Sequence, residues 1–384
     1  MLPQLDALRG VAILAVFTQH LGDRFMPFVE GEAARLASPG VAAWGLTVLH
    51  HAHWGVDLFF VLSGFSLAQG YLRAFQRGVP ATSARTFLLR RAARILPAYY
   101  LALAVALGSH LSALHRPASG AALVAHLLVL QGYFAPGGIV LIGATWSLTT
   151  EIGFYLLLPL LARPLLAPSP PRRRWIVGAG LCLGAWATRA GLHAVTLEPG
   201  VHTALLEATQ RRWIVSRLDQ FVLGALAAAV HAEIGAAGPS GARVRRAAPL
   251  ALVLAIAALV VGFRLEGELY LEPGGSWPYA IISLATAAIV LAATLCEGRA
   301  SRLVAPAPLR TVGIVSYGVF LYHQLALGIA GAALAGATWR ALAGNAALAL
   351  TLALAAGAAS WMLVERPALE WMRATQTRRA TFPP

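Results

Sequence analysis

The sequence contains no lysine, only two cysteines, and few charged residues of any kind. Charged side chains make up 12% of the 384 residues, against roughly 25% in a typical soluble domain. Since 58% of the residues are hydrophobic, water could not solvate the surface, which excludes an ordinary soluble protein. Cys182 and Cys296 lie in separate apolar stretches without a CxxC pattern, so we expect neither a disulfide framework nor a zinc site.

Apolar stretches recur along the chain and predict an all-α, polytopic transmembrane bundle of about ten spanning helices. One span needs about 20 apolar residues. The predicted spans are residues 9–28, 54–72, 95–111, 144–162, 175–194, 213–232, 248–264, 279–296, 311–331 and 342–364. We expect one transmembrane domain over residues 1–365 and a short basic cytoplasmic tail over 366–384, with Pro367 ending the last helix. The first stretch lacks a basic leader and a cleavage site, which favours a retained helix over a signal peptide.

Arginine supplies every basic side chain and gives the chain a net charge of +14. The arginines lie in the breaks between apolar stretches, which favours one membrane face over a nucleic-acid-binding surface. Residues 121–131 are apolar but too short to span. Most arginines fall on the cytoplasmic side if this segment does not span, and most fall outside if it does. The positive-inside rule therefore predicts a short interfacial or re-entrant helix here, with both termini cytoplasmic.

Polar residues inside predicted spans are candidate functional residues, because each ionisable group costs about 2.5–3.5 kcal/mol at a helix centre. Arg9 and His20 are three helical turns apart on one face of the first span, a separation of about 16 Å. This spacing predicts an arginine at the cytoplasmic mouth and a histidine near midplane. The alternative for His20 is a packing histidine bonded to a neighbouring carbonyl.

Three arginines, Arg90, Arg91 and Arg94, directly precede the third span. Arg90 and Arg94 share a helix face. Guanidinium groups suit phosphate, so the cluster is a candidate site for a phosphorylated ligand. The alternative is a topology-setting cluster that contacts lipid headgroups.

Further spans carry Asp57, Glu151 and His323, which predict either a shared polar cavity or separate structural hydrogen bonds. Arg217 and Asp219 in the sixth span predict an ion pair or an entrance from the outer side.

Six motifs in chain order resemble the acyltransferase-3 family of bacterial membrane O-acyltransferases. They are LDALRG with a later His, GVDLFFVLSGF, FLLRRAARILPAYY, WSLTTEIGFYLLLPLL, RLDQFVLG and SYGVFLYH. The resemblance implies about ten helices in the bacterial inner membrane. It also implies transfer of an acyl group, most simply acetyl, from cytoplasmic acyl-CoA to a hydroxyl of a carbohydrate or a glycosylated small molecule.

The resemblance also assigns the site residues. The family's Arg-x10-His pattern falls on Arg9 and His20, and its arginine cluster on Arg90, Arg91 and Arg94. Its Trp-Ser-Leu-x-x-Glu pattern falls on Trp146, Ser147, Leu148 and Glu151, and its late Tyr and His on Tyr322 and His323. Many relatives carry a second acidic or amide residue after the Glu, where this chain has Ile152 and Gly153. A fused extracytoplasmic hydrolase-like domain, which many relatives carry, is not expected.

The resulting hypothesis makes His20 the general base on the acceptor hydroxyl, or the carrier of a covalent acyl group. Glu151 or Asp57 orients the imidazole or binds the acceptor. The four arginines hold the phosphates of acyl-CoA, and His323, Trp146, Ser147 and Tyr322 bind the acceptor or the oxyanion. No metal and no permanently bound cofactor are expected. The rival hypothesis is a transporter or exporter of a polar or phosphorylated solute, which typically also predicts internal repeats. The acceptor and the oligomeric state stay open.

Overall fold

The computed structural model describes residues 2–35, 50–114, 120–133, 142–167, 171–197, 212–269, 276–334, 336 and 338–381. Within these ranges the chain is predominantly helical and contains no strand, which confirms the all-α class. The helices are α1 (Pro3–Arg35), α2 (Trp54–Gln76), α3 (Ala84–Leu114), α4 (Gly120–Leu127), α5 (Trp146–Leu166), α6 (Pro171–Leu197), α7 (Ile214–Ala236), α8 (Gly238–Leu269), α9 (Pro278–Leu295), α10 (Gly298–Val304), α11 (Ala307–Ile314), α12 (Ser316–Ala333), α13 (Trp339–Ser360) and α14 (Arg366–Thr381).

Each of the ten predicted spans falls on helical structure. In the described part of the chain, six segments are long and apolar enough to cross a membrane, or seven if α11 and α12 form one broken span. The six are residues 54–76, 84–109, 214–236, 238–267, 278–295 and 339–375. Helices α1, α5 and α6 occupy the other predicted spans but do not pass the same test of length and composition.

The chain divides into two compact units. Unit 1 comprises the described parts of residues 1–81, 132–137 and 147–314, and unit 2 those of residues 82–131, 138–146 and 315–384.

In unit 1, α2 packs against α7 through backbone-to-backbone contact at two glycines. A Cβ atom at Gly64 would overlap the carbonyl oxygen of Phe221, and one at Gly224 would overlap that of Val61. Small residues allow this close approach of membrane helices. The ring of Phe221 stacks on Phe154 of α5 with centroids 4.4 Å apart. These contacts hold the polar residues of α2, α5 and α7 near one another.

In unit 2, the last helix continues beyond the residue that the sequence marks as its end. The expectation that Pro367 ends the helix is wrong, because α14 includes it. A π-helical turn, Trp361–Glu365, comes first, and the Arg366 N–H donates to the Trp361 carbonyl five residues back. This wider turn precedes the position where proline cannot donate, so the chain stays helical.

Unit 2 also contains the short helix that the sequence predicts near residues 121–131. Helix α4 has eight residues, which gives a length of about 12 Å. Since a bilayer core is about 30 Å thick, α4 is too short to span, as expected.

Candidate active site

The imidazole of His20 in α1 is half-buried, and its orientation fixes the tautomer of the neutral ring. Its Nδ1 lies 2.9 Å from the carbonyl oxygen of Val16, one turn earlier. A carbonyl only accepts, so Nδ1 carries the hydrogen, and Nε2 is the basic nitrogen. The contact matches the packing alternative for His20, and it also makes Nε2 the nitrogen that a general base would use.

Arg9 lies eleven residues before His20 on the same helix and is bound from two sides. Its Nη1 donates to Asp6 Oδ1 at 2.7 Å, and its Nη2 donates to Ser66 Oγ of α2 at 2.9 Å. The Asp6 carboxylate neutralises part of the charge that a phosphate would otherwise meet.

Glu151 in α5 accepts a short hydrogen bond from the hydroxyl of Ser63 in α2. Ser63 and Ser66 are three residues apart, so they lie on one face of α2. That face therefore joins Glu151 and Arg9 through two serines. The sequence reasoning did not assign either serine a role, although both fall within or beside the GVDLFFVLSGF motif.

Asp57 is also buried, but it bonds to residues of α7 and not to the two serines of α2. Its Oδ1 accepts from Arg217 Nη1 at 2.5 Å and from Gln220 Nε2 at 2.6 Å, both on α7. The ion pair that the sequence offered as one reading of Arg217 is therefore present, with Asp57 as the partner. Two charge-assisted bonds to one oxygen tie α2 to α7.

A second buried ion pair joins α7 to α6. Asp219 accepts from Arg189 Nη2 at 3.1 Å and from Trp186 Nε1 at 2.8 Å, both on α6. The guanidinium carbons of Arg189 and Arg217 lie 5.1 and 5.9 Å from the ring centroid of Tyr279, within cation–π range.

Tyr279 extends this network to a third buried pair. Its hydroxyl donates to Glu266 Oε1 at 3.1 Å, and His51 Nε2 lies 2.5 Å from Glu266 Oε2. Sequence reasoning missed His51, Arg189 and Glu266, because the partners in the two ion pairs are 30 and 215 positions apart.

In unit 2, the three arginines before the third predicted span differ in surroundings. Arg90 is exposed, and the Arg91 guanidinium lies 5.9 Å from the centroid of Phe87. Arg94 interacts electrostatically with the buried Glu365. Arg90 is therefore the most exposed of the three arginines, and the charge of Arg94 is shared with a carboxylate.

His323 and Tyr322 lie in α12, also in unit 2. His323 is fully buried, and its Nδ1 lies 2.8 Å from the carbonyl oxygen of Phe320. The neutral ring is therefore basic at Nε2, as in His20. Tyr322 interacts electrostatically with Glu365, as Arg94 does.

The remaining predicted site residues, Trp146 and Ser147, begin α5. Ser147 is buried and Trp146 is half-buried. The preceding turn is held by a bond from the Ala144 N–H to Gln324 Oε1, 3.2 Å long.

Unit 1 thus brings Arg9, Ser63, Ser66 and Glu151 onto one face of α2, with Asp57 in the Arg217 ion pair. Unit 2 brings together Arg94, Tyr322 and Glu365. Across the described ranges, no group of three or more His, Cys, Asp or Glu residues is arranged to hold a metal ion.

Comparison with known proteins decides the family. The model of an acyltransferase domain, Acyl_transf_3, matches residues 2–365. The chain belongs to the acyltransferase-3 family. This acyltransferase domain extends over all the predicted spans, and the long apolar helices make it a membrane domain.

Relatives of this acyltransferase domain carry related names. Acyltransferase MdmB of Streptomyces mycarofaciens is 33% identical over 188 residues, 47% of this chain and 44% of the relative. BcsY of Komagataeibacter xylinus, named as a membrane-bound transacylase, is 29% identical over 86% of this chain and 81% of its own length. Peptidoglycan O-acetyltransferase OatA of Listeria monocytogenes is 23% identical over 84% of this chain.

The match to MdmB spans 44% of that relative, and the match to OatA spans 48%. No solved structure matches the chain.

Proposed function

We propose that this chain is a membrane-embedded O-acyltransferase of the bacterial inner membrane, with both termini in the cytoplasm. It moves an acyl group, most simply acetyl, from cytoplasmic acyl-CoA to a hydroxyl of a carbohydrate or a glycosylated small molecule. The family match over residues 2–365 supports acyl transfer. The name of the Listeria relative, a peptidoglycan O-acetyltransferase, supports a carbohydrate acceptor.

The observation that carries the proposal is the tautomer of His20. Its Nδ1 lies beside the Val16 carbonyl oxygen, so the lone pair of the neutral ring is on Nε2. Histidine is the side chain that most often serves as a general base.

In the proposed reaction, His20 Nε2 takes the proton of the acceptor hydroxyl as its oxygen attacks the thioester carbonyl carbon. The C–O bond forms, and a tetrahedral oxyanion results. The oxyanion then collapses, the C–S bond breaks, and the CoA sulfur leaves with the proton from the imidazolium. An ester and a free thiol are the products.

The contacts of Asp57 and Glu151 favour different roles for these two acids. Asp57 is committed to Arg217 and Gln220, which favours a structural role over orientation of His20. Among the described residues, Glu151 accepts one hydrogen bond, from the Ser63 hydroxyl to its Oε1. Glu151 is therefore the better candidate for binding the acceptor.

The contacts of the four candidate arginines also favour different roles. Arg90 is exposed, whereas Arg94 is placed near a buried carboxylate. We assign the CoA phosphates chiefly to Arg90 and Arg91, and give Arg9 and Arg94 a smaller share of the charge that holds the donor.

A reconstitution experiment separates this proposal from the transporter hypothesis. Full-length protein in proteoliposomes receives acetyl-CoA outside and N,N′-diacetylchitobiose as a hydroxyl-bearing probe. Acyl transfer predicts probe-dependent release of free thiol and an acetylated sugar. Flux of labelled sugar across the bilayer without thiol release would favour transport and contradict the proposal.

A further inference from the structure

A buried histidine in α4 presents an unused acceptor atom. His126 is 1% exposed, and its Nδ1 lies 2.8 Å from the carbonyl oxygen of Ala122. Nδ1 therefore carries the hydrogen, and Nε2 has the lone pair. Among the described residues, Nε2 has no hydrogen-bond partner.

A second unused acceptor lies five residues further along the chain. Gln131 is 3% exposed, and its Nε2 donates to the Thr145 carbonyl at 3.0 Å. This bond fixes which end of the amide is the oxygen. Gln131 Oε1 has no partner within the described part of the chain.

Tyr99 of α3 connects the two residues. Its hydroxyl donates to the His126 carbonyl at 2.8 Å, and the Gln131 side chain interacts with the same hydroxyl. One tyrosine therefore contacts both residues that carry the unused acceptors, within unit 2.

The turn between His126 and Gln131 is strained. Val129 has φ of +55°, a conformation that glycine normally takes after a helix end and that a β-branched residue rarely adopts. Bonds from Leu130 N to Ala125 O, 2.7 Å, and from Val129 N to His126 O, 3.1 Å, complete the turn. Strained backbone of this kind clusters at ligand sites.

Two acceptors without donors specify the chemistry of what would bind. Buried polar atoms are normally hydrogen-bonded, and an orphaned one calls for a ligand, a water or a catalytic role. A group that donates hydrogen bonds fits both atoms, whereas phosphate or carboxylate would place lone pairs against lone pairs. Burial also lowers the pKa of His126, so the ring stays neutral at physiological pH and Nε2 stays an acceptor.

We infer that His126 Nε2 and Gln131 Oε1 form a hydroxyl-binding subsite in unit 2, in which each atom accepts a hydrogen bond from a separate hydroxyl group of the acyl acceptor. This inference rests on the proposed function, since it names how that acceptor is recognised. His126 and Gln131 are binding residues here, and neither takes part in the proton transfer assigned to His20.

The first test is a kinetic one on the purified full chain. In His126→Asn, the amide nitrogen keeps the position of Nδ1 beside the Ala122 carbonyl, but nothing replaces Nε2. We expect the KM for N,N′-diacetylchitobiose to rise about tenfold, the effect of losing one hydrogen bond. The KM for acetyl-CoA and the melting temperature should not change. His126→Gln, which returns an amide to the Nε2 position, should recover part of the loss.

Tyr100→Phe is the matched control. The Tyr100 hydroxyl donates to the Leu127 carbonyl at 2.8 Å, so the variant disturbs the anchoring of α4 without touching either acceptor atom. It should leave the KM for the sugar unchanged. A sugar KM unaffected by His126→Asn, or a rise in both KM values with a lower melting temperature, would overturn the inference.

A second measurement keeps the subsite separate from the proposed function. The ¹⁵N-histidine spectrum of the protein, with His126 assigned by its loss in His126→Asn, is recorded as the disaccharide is added. A shift of the His126 Nε2 resonance without acyl transfer supports the subsite and contradicts the proposed function. Transfer with an unmoved resonance and an unchanged sugar KM overturns the subsite and leaves the function standing.

Discussion

At the scale of single residues, three histidines turn Nδ1 toward a backbone carbonyl oxygen of their own helix. His20, His126 and His323 make this contact at 2.8–2.9 Å. Each neutral ring therefore has its lone pair on Nε2. The sequence placed His20 and His323 among the candidates but did not predict the ring orientation, because orientation depends on the local helix geometry.

The buried ion pair of Asp57 and Arg217 should contribute strongly to stability. Arg217→Met leaves the Asp57 carboxylate buried and uncompensated, which costs about 3–5 kcal/mol. We expect a clear fall in the melting temperature of the detergent-solubilised protein, followed by tryptophan fluorescence. The double variant Asp57→Asn with Arg217→Met should lose less stability than the two single variants lose when their losses are added.

Glu370→Gln is the control for that experiment. Its carboxylate pairs with Arg366 at 2.8 Å, but both side chains are more than half exposed. Exposed pairs contribute about 0–1 kcal/mol, so the melting temperature should hardly move. Equal losses in the buried and the exposed variant would contradict the structural role of Asp57.

At the scale of helices, the sequence predicted where the helices lie along the chain better than it predicted which residues contact one another. All ten apolar stretches are helical because span length and apolarity are local properties. The expected helix end at Pro367 was wrong, because a π turn just before it makes room for the proline. The Arg189–Asp219 and His51–Glu266 pairs were missed because single-sequence patterns do not report which distant residues meet.

The crossing of α2 and α7 predicts a sharp difference between two glycines of one helix. Gly64→Ala places a methyl group on the Phe221 carbonyl, and Gly70→Ala places one in open space. Overpacking costs about 1–3 kcal/mol, whereas alanine in an open helical position stabilises by about 0.5–1 kcal/mol. Gly64→Ala should therefore lower the melting temperature and Gly70→Ala should not. The reverse order would be incompatible with the close crossing.

The arginines near the start of α3 are proposed to bind the phosphates of acetyl-CoA, and their substitution tests this. The charge-reversed variant Arg90→Glu with Arg91→Glu should raise the KM for acetyl-CoA about tenfold or more, because two charge-assisted contacts to phosphate are lost. Arg77→Glu, an exposed arginine at the end of α2, should leave that KM near the wild-type value. An unchanged KM together with altered membrane topology would assign the cluster to lipid headgroups instead.

At the scale of the whole molecule, orientation follows from where the arginines lie. The positive-inside rule predicts both termini in the cytoplasm, the side from which we propose that acyl-CoA binds. Reporter fusions at each end, active only in the cytoplasm or only outside it, measure this directly. Cytoplasmic activity at both ends is expected, and opposite sides for the two ends would require one more or one fewer span.

The central claim is acyl transfer through His20, and single-residue kinetics test it most directly. Purified His20→Ala and the control His50→Ala, an exposed histidine paired with Glu30, are compared with the wild type. Isotope-labelled acetyl-CoA and N,N′-diacetylchitobiose are the substrates, and acetylated sugar is measured by mass spectrometry. We predict that the rate of product formation falls about 10²–10⁴-fold in His20→Ala, which is the usual contribution of a general base. The rate should not change in His50→Ala. Near-wild-type product formation by His20→Ala would contradict the claim.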